Sequence, residues 1–153
     1  RIATTGAAGG LLAKTPFARP SVLRGAEAWL VSRWSVERVQ GPRYGPILAY
    51  THLLTQIDSE RGDEILQWCG RELERGFRTR IFGAIPVARV LLRARARALP
   101  GARLDAQELV AALVGEQAPD GSFPAQGGLG PVRATLEGLE ALARLGGEPD
   151  RRP

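Results

Sequence analysis

The residues best suited to chemistry are few. The chain has one histidine, His52, and one cysteine, Cys69. They fall on adjacent predicted helices, with Asp58 and Asp63 close by in sequence. Zinc accepts all three ligand types, so a mixed Asp/Cys/His site is chemically sensible. Against it, Cys69 lies on an apolar stripe with Ile65, Leu66 and Leu73, where a cysteine reads as a small buried residue. His52 and Cys69 therefore stand only as weak metal candidates, and no cofactor is expected. The nearest carboxylate cluster is Asp58-x-Glu60 followed by Asp63-Glu64. It sits where a loop enters a helix, so a solvated helix N-terminus is the simpler reading. Arg89, Arg93 and Arg97 recur at i, i+4 and i+8. The plain expectation is a solvent-facing stripe; turned inward, it would meet a diphosphate or an acidic partner through charge-assisted bonds. No complete catalytic constellation is visible.

The elements that position these residues read as helices. Leu109, Val110, Leu113 and Val114 bury one face of a helix that starts after Asp105, with Glu108 at capping-box spacing. That helix stops before Pro119, which disfavours helical geometry at Ala118. Asp120-Gly121 then supplies a tight turn, and Phe123 a ring to fill the gap between neighbouring hairpins. A further helix leaves at Pro131, with Val132, Leu136, Leu139, Leu142 and Leu145 expected to face the core. Arg133, Glu137, Glu140 and Arg144 are expected on its opposite, outer side.

Three such hairpins are predicted, over 21–57, 63–99 and 105–146. Ser21 is a plausible N-cap for the first, and the second helix of the middle hairpin is expected from Ile81 to Ala98. Residues 1–20, rich in Ala, Gly and Thr, read as a flexible lead-in or linker, and 148–153 as a frayed tail. Trp29, Trp68 and Ala112 mark corresponding positions about forty residues apart, the spacing of a helix-loop-helix repeat array. The fold class expected is all-α, tandem helical hairpins.

Leu113-x-x-x-Gln117-x-x-Asp120-Gly121-Ser122-Phe123 resembles the second half of the QW motif, with Phe123 where Trp is commonest. Arg24-Gly25-Ala26-x-x-Trp29-Leu30 resembles its first half, although Trp34 stands where Gln belongs and no Asp-Gly turn follows. The motif is that of the terpene cyclase and protein prenyltransferase superfamily, the squalene cyclase-like proteins. The resemblance implies a partial α/α toroid in which Gln117, Asp120, Gly121 and Phe123 are structural turn residues. It further implies an isoprenoid-type cavity that Trp29, Trp34, Tyr44, Tyr50, Trp68, Arg89 and Arg93 would line. The Asp-x-Asp-Asp acid of the class II cyclases, the aspartate-rich magnesium site of class I and the Asp-x-Cys spacing of the prenyltransferase zinc site are all missing. Macroglobulin thioester domains share the Gln-x-Pro-Asp-Gly turn, but Val114 stands where their thioester needs cysteine. The implied function is a fragment or degenerate module that helps to form a hydrophobic cavity. The alternative is a non-catalytic helical-repeat scaffold for protein–protein assembly. Three hairpins make about half a ring, so a protein partner or further repeats are expected to complete it, and the start at Arg1 suggests a piece of a longer chain.

Composition narrows the rest. The net charge is +5, almost all from arginine, Lys14 being the single lysine. The arginines are spread and aromatics make up only 6%, unlike a stacking platform, so nucleic acid is not expected. No apolar run is long enough for a transmembrane helix. A lone cysteine forms no intrachain disulfide, which suits a reducing, cytoplasmic setting, peripheral to a membrane if the ligand is a lipid.

Overall fold

The computed structural model describes residues 1–147, and the expected frayed tail at 148–153 lies outside them. The described residues form seven α-helices and no strand. In chain order they are α1 (Ile2–Leu12), α2 (Pro20–Val31), α3 (Tyr44–Leu54), α4 (Gly62–Arg78), α5 (Ala84–Ala94), α6 (Ala106–Glu116) and α7 (Pro131–Leu145). A single 3-10 turn, Val36–Arg38, links α2 to α3.

Local chemistry accounts for several of the helix ends. Prolines at the first turn open α2 and α7, where a missing N–H costs nothing. Pro20, rather than a cap at Ser21, therefore starts α2. Asp105 Oδ1 accepts from the Gln107 backbone N–H at 3.1 Å and caps α6. Glu108, at capping-box spacing, instead reaches Arg78 of α4 at 3.1 Å. The middle hairpin's second helix is shorter than its pattern suggests. It ends at Ala94 because Arg95 takes a left-handed conformation, φ 53°, and the Ala96 N–H turns back to the Leu91 carbonyl.

The helices pack as two rows. In one, α1 lies on α3, α3 on α5 and α5 on α7; in the other, α2, α4 and α6 each bridge two members of the first. The central helix α3 is consequently buried nearly all round, with Ile47, Ala49, Tyr50, Leu53 and Leu54 in the core. Tyr50 is fully buried and its hydroxyl donates to the Leu30 carbonyl at 3.4 Å.

Two expectations are corrected here. Residues 2–12 are a helix rather than a linker, and the glycines explain why. Gly6, Gly9 and Gly10 share the face turned to α3. A Cβ on Gly6 would stand 2.5 Å from the Ala49 Cα, and one on Gly10 2.5 Å from His52. Glycine is unfavourable for helix formation in isolation, but here it lets two backbones approach and gain packing contacts that outweigh the propensity cost. Second, α7 is turned away from its expected orientation. Val132, Leu136 and Leu139 are 85%, 67% and 47% exposed, while Glu137 is buried. The buried face of α7 is small instead: Ala134, Gly138 and Ala141, with Leu145 at its end.

A Gly6→Ala substitution must push α1 off α3, at a cost of about 1–3 kcal/mol. It should lower Tm by roughly 2–12 °C. Gly25→Ala on α2 meets nothing within 4 Å, and should instead stabilise by about 0.5–1 kcal/mol. Paired thermal melts of the two variants check both signs.

Candidate functional site

A partly buried group of charged side chains lies where α5 meets α7. Glu137 is 4% exposed and stands among three guanidiniums. Its Oε1 lies 3.3 Å from Arg93 and 3.4 Å from Arg133, and its Oε2 lies 3.2 Å from Arg89. The Arg89 contact is ionic rather than a well-aligned hydrogen bond. Arg89 and Arg93 are one turn apart on α5, so both reach across the helix interface to one carboxylate. The first two arginines of the sequence stripe are thus partly buried and paired, not solvent-facing. The third, Arg97, lies beyond the end of α5 and donates to the Leu145 and Gly147 carbonyls. There it meets the C-terminal dipole of α7.

Three cations around one anion leave the cluster positive, and neighbouring groups respond. His52 on α3 is 3% exposed, and its Nε2 has no hydrogen-bond partner. Burial, reinforced by Lys14, Arg93 and Arg89, pulls its pKa down to about 4. Lys14, between α1 and α2, donates to the Arg93 carbonyl. Its pKa is lowered first by burial and then by Arg95, Arg93 and Arg144. Tyr44 at the start of α3 packs edge-on to Phe82, ring centroids 5.9 Å apart, and burial pushes its phenol well above the ordinary range. Among the described residues this cluster holds no nucleophile with an adjacent base. Its chemistry is that of an electrostatic clasp.

The other sequence candidates fall apart spatially. Cys69 is fully buried on α4, and burial raises its thiol far above the usual range. No three His, Cys, Asp or Glu side chains converge to hold a metal among the described residues. Asp58, Glu60, Asp63 and Glu64 are all exposed. The aromatics do not gather round a cavity. Trp34 packs edge-on to the buried Tyr50 at 5.2 Å. Trp29 on α2 and Trp68 on α4 lie on the second row, each with an arginine stacked over it: Arg33 at 4.0 Å and Arg71 at 5.6 Å.

The turn after α6 is closed by short-range bonds. Asp120 Oδ1 accepts from the Ser122 N–H at 2.9 Å and its hydroxyl at 2.7 Å, which holds the Asp120 carboxyl below its usual pKa. Gly121 has φ 84°, and Gln117 Nε2 donates to its carbonyl at 2.9 Å. Phe123 is buried; its N–H donates to Thr135 Oγ1 at 2.9 Å, and its ring lies where a Cβ on Gly138 would be. The same device joins α4 to α5, where the ring of Phe82 covers Gly76. Glu116 is a residue the sequence reading passed over. Its carboxylate accepts from the Ala84 N–H at 2.9 Å and from Gln126 at 2.9 Å, so it caps α5 from α6. Glu137, expected on the outer side of its helix, is instead the buried centre of the clasp.

Along the open side of the clasp runs a groove of about 460 Å³, bounded by Pro131, Val132, Leu136, Arg93, Arg133 and Glu140.

Compared with known protein families, curated proteins and solved structures, the chain matches none. Among the described residues no helix is long and apolar enough to cross a membrane.

Glu137→Gln keeps the shape of the side chain but leaves the guanidiniums without a counter-charge. The loss should be about 2–3 kcal/mol, below the 3–5 of a fully buried pair because Arg93 and Arg133 keep solvent contact. Denaturant midpoints measure it, and Arg133→Ala should cost under about 1 kcal/mol. The His52 pKa is 6.5 when unperturbed and about 4 when folded. Between these values the unfolded chain binds more protons. The stability due to neutral His52 is therefore complete above the upper value and falls as pH drops towards the lower one, by at most ~1.4 kcal/mol per pH unit. Midpoints measured from about pH 7 to pH 5 should show this slope, and His52→Gln should remove that part of it.

Proposed function

We propose that this chain is an arc of α-hairpin repeats, of the partial α/α-toroid kind, acting as a non-catalytic scaffold for protein–protein assembly. One observation carries the reading. The aromatic side chains that would line an isoprenoid cavity are spread over both rows, with Tyr50 and Trp34 packed together, while the large apolar side chains of α7 stand in solvent. Exposed apolar residues that form a continuous patch mark interaction surfaces, whereas scattered ones do not. The alternation of the two rows and the turn at Gln117, Asp120, Gly121 and Phe123 support the repeat-array part of the proposal. Repeat arrays commonly work by presenting helix faces to other proteins.

A second reading is an isoprenoid-type ligand, and the groove beside α7 favours it. Pro131, Val132 and Leu136 give it an apolar wall, and Arg93 and Arg133 a cationic rim. That pairing suits a hydrocarbon chain with an anionic head.

Titration with farnesyl diphosphate separates the two. On the scaffold reading, the tryptophan fluorescence is unmoved and Tm shifts by less than about 1 °C, because no site binds the ligand in preference to the unfolded chain. A saturable shift that Val132→Asp abolishes would establish the ligand reading in its place.

A further inference from the structure

The outward face of α7 carries more than scattered apolar residues. Val132, Leu136, Leu139 and Ala143 are all exposed and follow one another at intervals of four, three and four. This is the spacing of a coiled-coil seam, just under two heptads long, with Leu136 and Ala143 in the a position and Val132 and Leu139 in d. In that register Arg133 and Glu140 both occupy the flanking e position. Their side chains are 62% and 39% exposed.

The charges discriminate between possible occupants. In an antiparallel pair of identical helices, e positions face e positions. Arg133 of one copy then stands beside Glu140 of the other, twice, about a two-fold axis near Leu136. A parallel pair would set the same charges against the g positions, Thr135 and Leu142, and leave them unmatched. Within one chain Arg133 contacts Glu137 and Glu140 contacts Arg144, at 3.4 and 3.1 Å. The exposed Glu140–Arg144 pair is worth little, and Glu137 keeps Arg89 and Arg93 if Arg133 turns away. Exchange of partners is therefore inexpensive.

We infer that α7 is a self-association face, on which a second copy of this chain seats its own α7 in antiparallel orientation, with Leu136 at the centre and Arg133–Glu140 pairs at the margin. This deepens the scaffold reading and rests on it. The seam is short, so the dimer is weak, with Kd on the order of tens of micromolar, at the small end of specific interfaces.

Sedimentation of the full chain from ~1 µM to ~1 mM, a span that brackets such a Kd, tests it. The apparent mass should rise from 16.4 kDa towards twice that value. Leu136→Asp should stay monomeric with an unchanged melt, since the side chain is two-thirds exposed. Arg133→Glu and Glu140→Arg should each weaken association roughly tenfold when alone, and an equimolar mixture of the two should restore it. The mixture restores pairing only if e faces e. A monomer at every concentration overturns the inference and leaves a scaffold for other proteins standing. Dimerisation that survives Leu136→Asp, or a mixture no better than its components, also overturns it. Saturable farnesyl diphosphate binding that Val132→Asp abolishes would instead remove the scaffold reading, and this inference with it, even where dimers form.

Discussion

A single buried carboxylate sets the rotation of the last helix, and much of what the surface offers depends on it. Glu137 points into the α5–α7 interface because Arg89 and Arg93 are already there, one turn apart, with no other described carboxylate within reach. An ionised carboxylate in that position without them would be very costly. With Glu137 held inward, the helix period carries Ala134, Gly138 and Ala141 inward as well and turns Val132, Leu136 and Leu139 to solvent. The interface is thus close-packed through small residues and fastened by charge, and the bulky side chains are left for something else.

The opposite end of the first row uses the same economy of volume without charge. Helix α1 contains no ionisable side chain between Ile2 and Leu12, and it approaches α3 through Gly6, Gly9 and Gly10. Between these ends, glycine on a helix faces a phenylalanine from a connecting segment twice, Gly76 with Phe82 and Gly138 with Phe123. The recurrence gives the hairpins a common joint. The rings of Phe82 and Phe123 are thereby used in closing the gaps between helices.

The electrostatic field of the clasp reaches beyond it. Burial, with Lys14, Arg93 and Arg89 nearby, keeps His52 neutral and leaves its unpartnered Nε2 in a cation-rich interior. Such a histidine is a poor metal ligand despite its burial, because any cation arriving there meets the same repulsion. Cys69 lies in the apolar interior of α4 with its thiol strongly disfavoured from ionising. Both residues are thus held neutral chiefly by desolvation, with neighbouring cations adding to the effect at His52.

What the residues alone determined is the local grammar. Asp105 and Pro131 mark helix starts, and Asp120-Gly121 marks a turn, because each acts through its own backbone or a partner two residues away. The all-helical class follows from periodicity, which is also local. Only the tertiary structure decided which face of α7 is buried, that residues 2–12 form a packed helix, and that Glu137 is shared by three arginines. A helical wheel ranks faces by hydrophobicity. The fold ranked them by what α5 and α3 offered in return, two guanidiniums in one case and a surface flat enough for backbone contact in the other. Those partners lie tens of residues away in the chain, and no pattern within a single helix contains them.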